Sequence, residues 1–209
     1  MKAVLFDLDN TLYPKEANLF SIMDKRINEY MHKKLKIPMN RVDDLRLNYW
    51  KEYGLTLIGL MKFYNVDTED FLHHVHNFEI ENILRPDLKL SQALAGLPLK
   101  KIIFTNSCEK YAKRVLKALK IHDHFELIFD IRKALFKPKP TPAPYKTLLE
   151  QININGNCCI MVDDYPDNLE TAKKISMKTI MVGRDQKKFH FDANVNCAYE
   201  AVEIIQKWL

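Results

Sequence analysis

Residues 4–14 read VLFDLDNTLYP: the apolar run Ala3-Val4-Leu5-Phe6 passes straight into two carboxylates, Asp7 and Asp9, with one leucine between them. Continuous apolarity, without alternation, marks a strand covered on both faces. Carboxylates at the mouth of such a strand are costly unless they are paired, hydrogen-bonded or bound to a cation. The remainder of the chain has to supply those partners.

Four further runs share this character: 102–104 within KKIIFTN, 127–129 (LIF), 158–162 (CCIMV) and 179–182 (TIMV). From residue 100 onward they alternate with amphipathic segments near 109–120, 142–152, 167–175 and 198–208. The first of these segments places Ala112, Val115, Leu116 and Leu119 on one helix face. Repeated βα units predict an α/β fold with a doubly wound, Rossmann-like parallel sheet.

The stretch 15–86 breaks the rhythm and contains no comparable strand run. Apolar residues recur at helical spacing over 19–31, and further helices are expected over 40–53, 55–64 and 68–82, between Pro14 and Arg85-Pro86. The pattern predicts an all-helical cap, residues 15–86, inserted after the first strand of a core made of 1–14 and 87–209. Ligands of open α/β sheets bind at the carboxyl ends of strands, so an insertion leaving from strand one is expected over the site. Tyr49, Trp50 and Tyr53 read as cap packing, while Gly54 and Gly59 suit either helix boundaries or a substrate loop.

With 209 residues and 47% hydrophobic content, the chain can form one large domain or one domain with an insertion. The net charge of +5 comes from dispersed lysines; the densest cluster, Lys133, Lys137 and Lys139, is interrupted by prolines and reads as solvated surface. Nothing interleaves basic and aromatic residues as a nucleic-acid site would. The four cysteines, at 108, 158, 159 and 197, form no CxxC pair. No apolar stretch approaches the roughly 20 residues that span a membrane, and a strand beginning after two residues argues against a signal peptide. A cytoplasmic protein with no membrane or nucleic-acid partner is expected.

The chemistry gathers at strand ends. Strand one ends in Asp7-Leu8-Asp9-Asn10-Thr11, strand two in Thr105-Asn106-Ser107, and strand four in Asp163-Asp164; the loop after strand three supplies Lys137-Pro138-Lys139-Pro140. In a parallel sheet these ends share one edge. Clustered carboxylates repel, which calls for a cation. Magnesium suits hard oxygen ligands, and is typically held by one or two carboxylates plus a substrate phosphate. Lysine and threonine would then contact phosphate oxygens, and a carboxylate could accept the phosphoryl group.

DxDxT, then a strand ending in Thr-Asn, then Lys-Pro-x-Pro, then an acidic pair: in this order the motifs resemble the haloacid dehalogenase-like (HAD) hydrolase superfamily. The resemblance implies Asp7 as nucleophile and Asp9 as general acid/base, with Lys137 stabilising charge. It implies a Mg2+ site from Asp7, Asp9 (through its backbone carbonyl), Asp163 and Asp164, and substrate contacts from Asn10, Thr11, Thr105, Asn106, Ser107 and Lys137. Asn168 matches a position where relatives carry aspartate or asparagine. Dehalogenating members lack an acid/base two residues after the nucleophile, so Asp9 favours phosphate chemistry. The phrases DLDNTLYP, YGLTLIGL (53–60), IFTNS (103–107) and KRVL (113–116) resemble the pyrimidine 5′-nucleotidase-like branch with a small helical cap. Tyr111 departs from it by replacing a histidine, and Tyr165 by replacing a serine.

The expected activity is thus magnesium-dependent hydrolysis of a small phosphorylated metabolite, with a pyrimidine nucleoside 5′-monophosphate first in line. A sugar phosphate, phosphoglycolate or a phosphomutase reaction would use the same residues. A signalling receiver also pairs an aspartyl phosphate with lysine and threonine. In receivers, however, the acidic pair follows the first strand, whereas here it comes after the lysine.

Overall fold

The computed structural model describes residues 1–183 and 190–209. Among these residues the strands β1 (Ala3–Phe6), β2 (Lys100–Phe104), β3 (Leu127–Phe129), β4 (Cys159–Asp163), β5 (Lys178–Val182) and β6 (Ala193–Val195) form one parallel sheet in the order β3-β2-β1-β4-β5-β6. β1 is central, hydrogen-bonded to β2 on one side and β4 on the other. The connections reverse direction between β1 and β4, the switch point where a doubly wound sheet opens a crevice.

The strands are apolar throughout because both faces are covered. All four residues of β1 and all five of β4 are buried. Alternate residues (Ala3 and Leu5, Ile102 and Phe104, Cys159 and Met161) join one core cluster with Phe129, Tyr145, Leu148 and Leu169. Phe104 meets Phe129 and Tyr145 edge-to-face, with centroids 5.6 and 4.9 Å apart.

The chain divides into two compact units, one of Met1–Ala17 and Ile80–Leu209, the other of Asn18–Glu79. The second is all helical: α1 (Leu19–Lys33), α2 (Met39–Tyr53), α3 (Thr56–Phe63) and α4 (Thr68–His76). Its interior includes Tyr30 edge-on to Phe71, and nearer the surface Tyr49 stacks on the exposed Phe63. Gly54 adopts φ 80° to end α2, and a Cβ on Gly59 would lie 2.2 Å from Cγ of Tyr49, so close packing accounts for that glycine.

The helical unit is narrower than the 15–86 predicted from sequence. The predicted helix 68–82 stops at His76, where Asn77 leaves helical geometry at φ −88° and ψ 74°. Ile80 is fully buried, and Glu81 makes a two-pronged ion pair with Arg114 at 3.0 and 2.9 Å, which ties residues 80–81 to the sheet unit.

In the sheet unit the helices are α5 (Leu88–Ala95), α6 (Glu109–Ala118), α7 (Pro142–Ile152), α8 (Pro166–Lys174) and α9 (Ala198–Lys207). Two elements carried too little pattern to be predicted. β6 is only Ala-Asn-Val with one buried residue, and α5 is an eight-residue helix whose clearest mark is the Asp87 cap, accepting from the Leu90 N–H at 2.8 Å. Among the described residues no helix is long and apolar enough to cross a membrane.

Candidate active site

β1 and β4 run side by side, and their pairing continues one step beyond β1, where the Asp7 N–H donates to the Val162 carbonyl at 2.9 Å. That bond fixes Asp7 beside Asp163, the last residue of β4. The chain then turns: Asn10 takes a left-handed conformation at φ 59°, and Leu12 N–H returns to the Leu8 carbonyl. Asparagine tolerates this conformation better than most residues. The turn brings the Thr11 hydroxyl onto Asp7 Oδ2 at 3.0 Å.

The lysine of the site is Lys139, a correction to the Lys137 predicted from the Lys-Pro-x-Pro context. Lys137 is exposed, whereas Lys139 is buried with its Nζ 2.8 Å from Asp7 Oδ1 and 2.8 Å from Asp163 Oδ2. Asn106 secures this placement: its Nδ2 donates to the Lys139 carbonyl at 3.0 Å and its Oδ1 accepts the Lys139 N–H at 2.8 Å. Both lysines precede a proline, and local sequence cannot tell which one the Asn106 clasp turns inward. The same finding corrects the basic cluster around Lys133, Lys137 and Lys139, since its third member is core rather than solvated surface.

Electrostatics follow from this crowding. Burial pushes the Asp7 carboxyl well above the usual range; Lys139 opposes the shift, while Asp163, Asp164 and Asp9 add to it. Asp164 is pushed up to about 7, mainly by burial and then by Asp163, with Lys139 and a hydrogen bond from Asn10 pulling the other way. Burial works against the Lys139 charge, but Asp163 and Asp7 outweigh it and hold the ammonium above its ordinary value.

One carboxylate oxygen from each of Asp7, Asp163 and Asp164 lies within 4.8 Å of the others, a spacing one cation can share. Their donor capacity differs. Asp163 Oδ1 accepts from the Tyr165 N–H and Asn168 Nδ2, both at 2.9 Å, and Oδ2 accepts from Lys139 at 2.8 Å and Asn168 Nδ2 at 3.0 Å. Those four contacts come from three donors, with the Asn168 amide shared between the two oxygens, and they occupy Asp163 more fully than its neighbours. Among the described residues Asp7 and Asp164 keep open lone pairs, so these two suit a hard cation such as magnesium best, with Asp163 also the lysine's counter-charge.

Asp9 stands apart from that trio. Its Oδ1 accepts from the Tyr13 hydroxyl at 2.5 Å and the Tyr111 hydroxyl at 2.8 Å, and its Oδ2 accepts from Ser107 Oγ at 2.8 Å. Four of the residues expected at substrate have their side chains committed elsewhere: Asn10 on Asp164, Thr11 on Asp7, Ser107 on Asp9 and Asn106 on the Lys139 backbone. Thr105 Oγ1 accepts the Ser107 N–H at 3.0 Å, which leaves its own hydrogen available to a phosphate oxygen. Tyr13 and Tyr111 escaped the sequence reading as site residues because a buried aromatic beside Ala112, Val115 and Leu116 looks like packing. The signal was the replacement of histidine at 111.

The fold and this acidic edge define a class, and the sequence agrees: the family model for haloacid dehalogenase-like hydrolase matches residues 4–182, and the chain belongs to that family. Among particular proteins, "Phosphate metabolism protein 8" of Saccharomyces cerevisiae is 28% identical over 193 residues, which cover 84% of this chain and 60% of that protein. The chain therefore spans less than two thirds of that relative's length. A phosphoglycolate phosphatase of Colwellia psychrerythraea is 25% identical over 197 residues, covering 86% of this chain and 83% of that one. A crystal structure of a HAD phosphatase from Thermococcus onnurineus shares the fold at TM-score 0.67 and 18% identity, with 98% of each chain covered.

Proposed function

We propose that the protein is a magnesium-dependent phosphomonoesterase that transfers the phosphoryl group of a small metabolite to Asp7 and then to water. The observation carrying this reading is the arrangement around Asp7: Lys139 at 2.8 Å on one oxygen, and Asp164 close enough to share an ion. Asp7 and Asp164 would hold the magnesium, joined by the Asp9 backbone carbonyl that the family resemblance implies. When bound, the ion neutralises phosphate charge and offsets the repulsion among the acids.

An Asp7 oxygen attacks phosphorus as the bond to the leaving oxygen breaks, and Asp9 protonates that oxygen. Lys139 holds Asp7 in line and spreads its charge. Thr105 and the Asn106 backbone N–H are the proposed donors to the remaining phosphate oxygens. Asp9, now ionised, takes a proton from water as the water oxygen bonds to phosphorus and the Asp7–phosphorus bond breaks. Positioning and charge neutralisation supply most of the acceleration in such transfers.

For the substrate, the DLDNTLYP and KRVL phrases favour a pyrimidine nucleoside 5′-monophosphate, whereas the relative from Colwellia is a phosphoglycolate phosphatase. A phosphate-release screen over cytidine and uridine monophosphates, phosphoglycolate and hexose phosphates, with magnesium or with chelator, tests both levels. Magnesium-dependent release from at least one of them is expected, highest for the pyrimidine nucleotides. Isomerisation of a hexose phosphate without net phosphate release would instead make the protein a mutase, and no turnover of any kind would overturn the proposal.

A further inference from the structure

Two buried tyrosines reach the carboxylate assigned to proton transfer. Tyr13 and Tyr111 are 3% and 1% exposed, and Asp9 is 6% exposed, so water does not compete freely for these groups. Each tyrosine hydroxyl has one hydrogen to give. Both are directed to Asp9 Oδ1, although the two hydroxyl oxygens lie only 3.3 Å from each other.

An ionised carboxylate offers about four lone-pair sites. Oδ1 uses two for the tyrosines. Oδ2 uses one for Ser107, which among the described residues leaves one site open. A proton placed on Oδ1 would collide with two O–H groups already pointing at it. A phenol ionises only near pH ~10, so both hydroxyls keep their hydrogens at neutral pH.

We propose that Tyr13 and Tyr111 are positioning residues that close Oδ1 of Asp9, so that Oδ2 alone carries the proton to the leaving oxygen and takes it back from water. This rests on the reading of Asp9 as general acid/base and deepens it, since it names the reacting oxygen and the residues that select it. In the first step the Oδ2–H bond breaks as the leaving oxygen gains its proton, while the Asp7 oxygen bonds to phosphorus. In the second, Oδ2 takes a proton from water as the water oxygen replaces Asp7 on phosphorus, which restores the starting protonation state.

The test compares two substrates of the wild type, Tyr13→Phe, Tyr111→Phe and Asp9→Asn. One is p-nitrophenyl phosphate, whose leaving group departs without help; the other is a substrate with a poor alkoxide leaving group, taken from the phosphate-release screen. General acid catalysis is worth roughly 10²- to 10⁴-fold where the leaving group needs it. Each Phe variant should lose about 10-fold or more in kcat/KM on the alkyl phosphate and under about 3-fold on the aryl phosphate, with the loss mainly in kcat. A tyrosine that mattered only to packing would lower both rates together. Equal losses on the two substrates, or no loss on either, in Phe variants of near-native melting temperature would overturn the proposal while the Asp9 reading stands. If Asp9→Asn itself shows no selective loss on the alkyl phosphate, the acid/base reading fails and this proposal with it. Because Tyr13 and Tyr111 are changed separately, one poorly folding variant leaves the other decisive.

Discussion

Exchanging Lys139 for methionine, with the same change at Lys137 as its partner experiment, isolates what the buried ammonium does. Lys139 Nζ sits 2.8 Å from Asp7 Oδ1 and 2.8 Å from Asp163 Oδ2, and the three side chains are 1%, 10% and 0% exposed. At an effective dielectric near 20 each attraction is worth about 6 kcal/mol before desolvation is subtracted. The net cost of removing one member of a buried charged set is smaller, about 3–5 kcal/mol, because what remains is uncompensated buried charge. For a chain of this size that corresponds to a melting temperature lower by about 6–20 °C. Lys137→Met, at an exposed position, should change stability by no more than about 0.5 kcal/mol. The Lys139→Met deficit should shrink on acidification. Asp7 already titrates well above the usual range, and without its ammonium it accepts a proton more readily still, which removes the uncompensated charge. Thermal melts of both variants at pH 5 and 8, with phosphate release measured alongside, decide the matter. Phosphate release should fall about 10²-fold or more for Lys139→Met and stay near wild type for Lys137→Met. A larger loss of activity and stability in Lys137→Met would refute the assignment of the site lysine.

Asp7→Asn should abolish phosphate release from a generic aryl phosphate, by about 10⁴-fold or more, and also abolish hydroxylamine-labile phosphate labelling of the protein; wild-type turnover would remove Asp7 as nucleophile. Magnesium should raise the melting temperature more at pH 8 than at pH 5.5. The sign follows from Asp164, which titrates near 7 in the fold against an ordinary 3.8. Between those values the folded state holds the extra proton, so metal-free stability falls as pH rises through the window, and magnesium competes with that proton. At 100 times its dissociation constant the ion contributes about 2.7 kcal/mol, and equal shifts at both pH values would contradict the shared-ion geometry. Gly156→Ala should destabilise by about 1–3 kcal/mol on urea unfolding, because the new Cβ would lie 2.1 Å from the Ile175 carbonyl oxygen, a backbone atom that cannot rotate away.

What the sequence made legible depended on how strongly a residue's environment marks its neighbours. Buried parallel strands mark themselves, since both faces demand apolar residues: β1, β2, β3, β4 and β5 were readable from such runs, and β6, with Asn194 at its centre, was not. The acids at the strand ends were readable for the opposite reason, because a charge directly after a buried run is conspicuous. Choosing Lys139 over Lys137 needed the Asn106 clasp, a contact across 33 residues. The tyrosines on Asp9 are harder still, because the contact from Tyr111 spans 102 residues and its ring also faces the core.

The four carboxylates of this edge begin as the same side chain, and their surroundings divide the work. Asp163 is held by an ammonium, an amide and a backbone N–H, which makes it the fixed counter-charge that seats Lys139. Asp7 keeps one partner on each oxygen, Lys139 and Thr11, so that it is oriented yet still has lone pairs to offer. Asp164 has a hydrogen bond from Asn10 and the more distant Lys139 charge to set against its desolvation, and it titrates where a cation can displace its proton. Asp9 is surrounded by hydroxyls, which can hold an acid in either protonation state without adding a charge of their own. A nucleophile needs a charged neighbour to stay ionised, and a proton-transfer group needs neutral ones so that it can change state. The partners supplied to Asp7 and to Asp9 differ in that respect, which fits the opposite parts proposed for the two aspartates of DLD, with only Leu8 between them, in a single reaction.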